Sequence, residues 1–278
     1  MQAVLFAGGA GRRIQPVTQG MNKHLLPVHD RLTVVEHGIT ALARAGVTEF
    51  LIITNRDDTD VIRALLSSNP ALGSVEWTIA ASKSPHQSLA EVLMLARGFV
   101  RDEEFLVLFG DNVFLHGGVQ SVQRSVEYPG PRIVLARAPD PSRFGVASFN
   151  GATLARLAEK PSDPPLNALV VTGLMRLTKS SLAILDSLPR NERGELQDGF
   201  LTSFLNVLID KRLLGYDIAG EPWFDVGTPR AYELLLSHGG GERPALSRRP
   251  QGIAWEVAQE FSCAEKIRDV IAGLRKTG

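Results

Sequence analysis

The chain is short of cysteine, of net charge and of long apolar runs. Cys263 is the single cysteine among 278 residues, which excludes an internal disulfide and favours a reducing compartment. Thirty Lys and Arg balance thirty Asp and Glu, so no global field draws the protein to nucleic acid or to an anionic membrane, and any cationic site must be local. No stretch approaches the ~20 apolar residues of a membrane span. The first apolar run, Ala3 to Ala7, is too short for the core of a signal peptide and meets glycine at once. The expectation is a cytoplasmic protein with neither nucleic acid nor membrane as partner. Internal repeats and low-complexity tracts are also missing.

What is present is enough apolar residue, 44%, for a sizeable core. Short runs rich in Val, Ile, Leu and Phe recur at 3–6 (AVLF), 50–54 (FLIIT), 75–80 (VEWTIA) and 105–109 (FLVLF), with helical periodicity between them from Thr33, Asp57 and Ser88. Alternating strands and helices predict a doubly wound, mostly parallel, Rossmann-like α/β sheet, because a parallel crossover needs a helix and that helix must bury its apolar stripe. From Pro131 the rhythm changes to strand-like RIVLARA, GVASFN and TLARLAEK, with a hairpin candidate at FN-G-AT. Helical patterns return at Ser180 to Leu188 and Phe200 to Lys211, followed by the strand LLGYDIAG. After His238 a loop-like stretch leads to a final periodic segment, which predicts a C-terminal helical tail. The expected division is 1–237 for the main domain, with halves at about 1–130 and 131–227, and 238–278 for linker and tail.

Gly8, Gly9 and Gly11 follow the first strand directly and precede Arg12 and Arg13. Bare backbone at the carboxyl edge of an open α/β sheet, with Arg12, Arg13 and Lys23 nearby, suits a polyphosphate. A dinucleotide-binding turn would need a third glycine where Arg12-Arg13-Ile14 stands, and a P-loop would need a Gly-Lys-Ser/Thr ending. A plain flexible turn with solvated arginines remains the competing reading. Asp111, after FLVLFG, and Asp225, after Trp223-Phe224, are hard oxygen donors of the kind Mg²⁺ prefers. Taken singly, each reads equally as a turn former or a helix cap. Glu159 and Lys160 read from local sequence as a solvated ion pair. His24 and His29 are spaced for no helical metal-ligand pair, which leaves them a polar loop role.

The order of the motifs adds a resemblance. AGGAGRR with NKHLLPV, then LFGDN, DPSRFGVASF, LAEKP, VVTGL, RGELQD and WFDVGT, spanning Met1 to Ser237, closely resemble the sugar-1-phosphate nucleotidyltransferases, and among them the glucose-1-phosphate thymidylyltransferases. The resemblance implies transfer of a nucleotidyl group from dTTP to glucose 1-phosphate, with Mg²⁺ held by Asp111 and Asp225. It implies Gly8, Gly9 and Gly11 cradling the triphosphate, Arg13 at the departing pyrophosphate and Lys23 at the α- and neighbouring phosphates. Lys160 would meet the sugar phosphate and Glu159 the sugar hydroxyls. Gly145, Val171, Thr172 and Glu195 would line or close the sugar pocket. A homo-oligomer is implied as well.

The departures matter. Arg12 replaces a usual threonine, Phe144 a frequent tyrosine, and Lys83 and Ser88 stand where a base-reading glutamine and a glycine are common. A lysine offers donors only, so it cannot reproduce an amide's paired donor and acceptor on a pyrimidine edge. Another base, or an acceptor other than a hexose phosphate, therefore stays open. So does a non-catalytic regulatory relative that binds nucleotide sugar.

Overall fold

The protein is described from a computed structural model covering residues 1–238 except 10, 29–31, 83–88, 193–195, 197–198 and 221. The expected tail after His238, and the candidate residues His29, Lys83, Ser88 and Glu195, lie outside the described residues. In chain order the strands are β1 (Gln2–Ala7), β2 (Glu49–Thr54), β3 (Glu76–Ala81), β4 (Glu104–Phe109), β5 (Asn112–Phe114), β6 (Arg132–Arg137), β7 (Gly145–Asn150), β8 (Thr153–Glu159), β9 (Leu169–Thr178), β10 (Gly215–Ile218) and β11 (Trp223–Asp225). The α-helices are α1 (Gln15–Thr18), α2 (Val34–Arg44), α3 (Thr59–Ser67), α4 (Leu89–Phe99), α5 (Gly117–Glu127), α6 (Phe200–Asp210) and α7 (Pro229–His238).

The main sheet runs β10-β6-β9-β4-β1-β2-β3. β1, β2, β3 and β4 are mutually parallel, and β9 enters antiparallel between β4 and β6. Alternate strand residues go to opposite faces. Leu5, Phe50, Ile52, Leu106 and Leu108 pack under Val35, Ile39, Ile62 and Val122 of α2, α3 and α5. Val4, Leu51, Ile53, Phe105 and Val107 pack under α4 and α6 through Val92, Leu93, Phe204 and Leu208. Burial on both faces is why these strands read as continuous apolar runs. The expected doubly wound, mostly parallel sheet is what the chain forms.

Local chemistry sets the entry to α2. Thr33 accepts from the Glu36 amide (3.3 Å) while Glu36 Oε2 accepts from the Thr33 amide (3.0 Å), a reciprocal cap. The hairpin at 149–153 forms as expected, with Asn150 opposite Thr153 and Gly151 at φ 60 in the loop. The helical stretch expected at Ser180 to Leu188 forms as a 3₁₀ helix, Ser180–Ser187, while β5, α5 and β9 are elements without counterparts among the expected ones.

Chain order in the sheet reverses beside β1: β2 and β3 lie on one side and β4 on the other. That is the place where open α/β sheets leave a crevice at their carboxyl ends. The glycine loop after β1 and Gly110-Asp111 after β4 both emerge there.

Candidate active site

Asp111 and Asp225 are 114 positions apart in the sequence, and a small ribbon brings them together. β5 pairs antiparallel with β11 so that Asn112 lies opposite Asp225, and the Val226 amide donates to the Asp111 carbonyl at 2.8 Å. Both carboxylates line one cavity of about 290 Å³, together with Arg13, Asn112 and Arg143 on the polar side. Phe144, Gly145, Glu159, Val171, Thr202 and Trp223 also line it. A small number of convergent polar groups on a largely apolar wall is the usual make-up of a ligand site.

Each carboxylate has a cation. The Lys23 ammonium forms an ion pair with Asp111 Oδ2, and Asn112 Nδ2 donates to Asp111 Oδ1 at 2.9 Å. Arg143 Nη2 donates to Asp225 Oδ2 at 2.8 Å. The two groups titrate in opposite directions. Burial would raise the Asp111 carboxyl, but the charges of Lys23 and His24 and the hydrogen bonds from Lys23 and Asn112 outweigh it and hold the group at about 2. Asp225 is pushed up to about 6 by burial and then by the Asp111 charge, against the opposing Lys23, Arg143 and Arg13. His24 is buried rather than in a polar loop as expected; burial and the Lys23 charge push its imidazole down to about 3, so it is neutral.

Asn112 ties the ribbon to the main sheet. Its Oδ1 accepts from the Gly173 amide (2.8 Å) and from Trp223 Nε1 (2.7 Å). Close approach of β9 needs a glycine there, since a Cβ on Gly173 would lie 2.5 Å from Phe109 Cβ and 2.6 Å from Asn112 Nδ2. Trp223 also meets Phe144 edge to face at 5.5 Å, and the Thr202 hydroxyl of α6 donates to Glu159 Oε2.

Gly9 takes φ 110 and Gly11 φ 54, so the loop turns as its glycines imply. The Gly9 amide donates to Asn55 Oδ1 at 3.0 Å, however, and does not face outward as a phosphate donor. Arg12 and Arg13 open the short turn Arg12–Ile14, and of the two Arg13 reaches the cavity wall. Val171 and Thr172 line the cavity, but the Thr172 hydroxyl donates inward to the Val134 carbonyl at 2.9 Å. Lys160 is 64% exposed at the rim, its ammonium 3.3 Å from Glu159 Oε1. Sequence reasoning missed Arg143, Asn112, Thr202 and the indole of Trp223. A basic residue next to Phe144-Gly145 in the DPSRFGVASF motif was the available signal for Arg143.

Among the described residues no group of three or more His, Cys, Asp or Glu side chains gathers as a metal cluster. Two partly buried carboxylates are nevertheless a sufficient protein share for Mg²⁺, which takes its remaining oxygens from water and phosphate. Burial and then the Asp111 charge raise the Asp225 carboxyl, and a dication would offset both, so the donor set fits.

A family model described as nucleotidyl transferase matches residues 2–237. The chain is similar to a glucose-1-phosphate thymidylyltransferase of Mycolicibacterium smegmatis, 28% identical over 266 residues that cover 92% of this chain and 89% of the relative. It is also similar to the low-salt glycan biosynthesis nucleotidyltransferase Agl11 of Haloferax volcanii, 30% identical over 243 residues covering 85% of this chain and 66% of the relative. A solved UDP-glucose pyrophosphorylase with bound UDP-glucose superposes with a TM-score of 0.70 at 19% identity, covering 85% of this chain and 97% of that one, a likeness of fold.

Proposed function

Because the chain belongs to the nucleotidyl transferase family, we propose that it moves the nucleotidyl group of a nucleoside triphosphate onto a sugar 1-phosphate, giving a nucleoside diphosphate sugar and pyrophosphate. The observation that carries this reading is that Asp111, Asp225, Arg13 and Arg143 line one cavity with Glu159, Thr202 and Trp223, with Lys23 paired to Asp111. Three of these, Lys23, Arg13 and Arg143, bear charges suited to phosphates. Glu159, Thr202 and Trp223 suit a polyol with an apolar ring face.

The reaction joins a sugar-phosphate oxygen to the α-phosphorus as the bond to pyrophosphate breaks, and it needs no covalent protein intermediate. Catalysis is then positioning and charge neutralisation. Mg²⁺, held by Asp111 and Asp225, would supply positive charge at the triphosphate oxygens. Lys23, already beside Asp111, stabilises charge around the α-phosphate, and Arg13 does so at the departing pyrophosphate. Arg143 and Lys160 orient the attacking phosphate, while Glu159, with Thr202 donating to its Oε2, offers sugar hydroxyls its Oε1, which the Lys160 ammonium also approaches at 3.3 Å. Gly145 leaves the wall low beside Val171, where a Cβ would stand 3.5 Å from Val171 Cγ2. Residues 1–130 serve the nucleotide and 131–227 the acceptor and the second metal carboxylate.

dTTP and glucose 1-phosphate lead as substrates, supported by the thymidylyltransferase relatives. Lys83 and Ser88 widen or shift the base preference. A matrix of triphosphates against sugar 1-phosphates, read by Mg²⁺-dependent pyrophosphate release, tests all of this. Release is expected with at least one pair and not restricted to dTTP; no release with any pair would favour a binding protein. Asp111→Asn should cost on the order of 10³-fold in rate with an unchanged circular dichroism spectrum. Turnover near the parent value would remove the metal role.

A further inference from the structure

The glycine loop is held from behind by a network that the chemistry above does not use. Asp58 ends the 3₁₀ turn Arg56–Asp58 between β2 and α3. One of its oxygens, Oδ2, receives amide hydrogens from Asn22 Nδ2 at 2.9 Å and from Asn55 Nδ2 at 2.8 Å. Both amides have further partners. Asn22 Nδ2 also donates to the Ala7 carbonyl at 2.9 Å, and its Oδ1 accepts from the His24 amide at 3.0 Å, inside the turn that carries Lys23. Asn55 pairs with the peptide group of Gly9: its Oδ1 accepts from Gly9 N–H at 3.0 Å and its Nδ2 approaches Gly9 C=O at 3.4 Å. A single carboxylate thus joins the glycine loop to the Lys23 turn.

Glycine permits the φ of 110 at Gly9 but does not select it, because glycine reaches many other conformations at equal ease. The selection has to come from outside the loop, and Asn55 supplies it by reading both polar atoms of Gly9. Asn55 in turn has two ends of nearly equal shape. A carboxylate only accepts, so Asp58 draws the NH₂ end of each asparagine toward itself and leaves the Oδ1 ends facing Gly9 N–H and His24 N–H. Turned over, Asn55 would set a donor against the Gly9 donor in a partly buried place, leaving both without partners.

We infer that Asp58 is a positioning residue for the triphosphate: through Asn55 and Asn22 it sets the spacing between the glycine loop and Lys23. The inference rests on the proposed function in assigning Lys23, and Arg13 directly after the glycine loop, to the triphosphate. The role belongs to an acceptor oxygen at one place, not to the charge, and this separates the variants. Asp58→Asn can put its carbonyl oxygen where Oδ2 lies and keep both amides oriented. Asp58→Ala cannot.

The experiment measures steady-state kinetics with each substrate varied, together with amide hydrogen exchange at Gly9 by NMR, in the full chain. In Asp58→Ala the KM for the triphosphate is expected to rise about tenfold or more, with the KM for the sugar 1-phosphate within about twofold. Gly9 exchange should accelerate about tenfold while Phe6 and Ile53 keep their protection. Asp58→Asn should stay within about threefold of the parent in both readouts. Unchanged Gly9 exchange in Asp58→Ala overturns the inference, as does a parallel rise in both KM values or an Asp58→Asn variant as impaired as Asp58→Ala. If the parent itself releases no pyrophosphate with any substrate pair, the functional reading fails instead, and the exchange comparison alone decides whether Asp58 sets the loop.

Discussion

The carboxyls of Asp111 and Asp225 share one cavity yet are driven apart in acidity: burial pushes both up, and at Asp111 alone the neighbouring charges and hydrogen bonds outweigh it. Lys23 is in direct contact with Asp111, whereas Asp225 faces the negative charge of Asp111 with Arg143 as its direct counter-ion. Asp111, lowered from an ordinary value of 3.8 to about 2, contributes stability that is complete above its unfolded value and is lost as pH falls through about 2. Asp225, raised from 3.8 to about 6, holds its proton more tightly when folded, so its favourable contribution is complete below 3.8 and is lost as pH rises through about 6. At neutral pH the folded protein therefore carries an unfavourable charge at Asp225 that a dication offsets. At about pH 5 the same dication must first displace a proton. Thermal melts with and without saturating Mg²⁺ should show a larger increment at about pH 7.5 than at about pH 5, and the difference should vanish in Asp225→Asn. An increment independent of pH in the parent would show that Asp225 takes no part in cation binding. Residues of this kind were only half legible in the sequence. Asp111 and Asp225 stand at strand ends in motifs of known order, but Arg143 has only its place beside Phe144-Gly145 to mark it, and its partner lies 82 positions away.

At the scale of elements, the site depends on a three-residue strand. β5 is too short to carry an apolar period, and its partner β11 is equally short, so neither could be told from a loop by patterning. α5 begins with two glycines and carries Gln, Ser and Arg along its length, which hides the buried stripe. β9 is masked for another reason: it is buried on both faces yet contains Thr172, Gly173 and Arg176. Those three are explained by the structure. Thr172 and Arg176 hydrogen-bond to backbone carbonyls of Val134, Ser125 and Val126, and Gly173 lets Asn112 dock on the strand. The strands and helices that were legible, β1 to β4 with α2 to α4, owe it to long apolar runs and clear turns. Gly173→Ala tests the docking. The added carbon would meet Phe109 Cβ at 2.5 Å, so urea unfolding should show a loss of about 1–3 kcal/mol, and turnover should fall further than stability because Asn112 carries Asp111 with it. Equal activity in the variant at saturating substrate would show that the ribbon can shift without cost to the site.

For the molecule as a whole, the described site gathers Arg13 and Lys23 from the start of the chain, Asp111 from its middle, and Arg143, Glu159, Thr202 and Asp225 from the later half. The chain has no net charge to attract a triphosphate from a distance, so affinity must come from these converged groups, and they exist together only in the folded state. Binding should then stabilise the entire fold rather than one loop. A ligand at 100 times its Kd adds about 2.7 kcal/mol, which for a chain of this size corresponds to on the order of 5–10 °C in Tm. Differential scanning calorimetry with a Mg²⁺-loaded triphosphate should show that rise as a single cooperative transition, and the Asp111→Asn variant should show little of it. A triphosphate that shifts only part of a split transition would mean that the two halves unfold separately and that the ligand engages one of them. A shift of full size in Asp111→Asn would place the binding energy away from the paired carboxylates, and with it the chemistry assigned to their cavity.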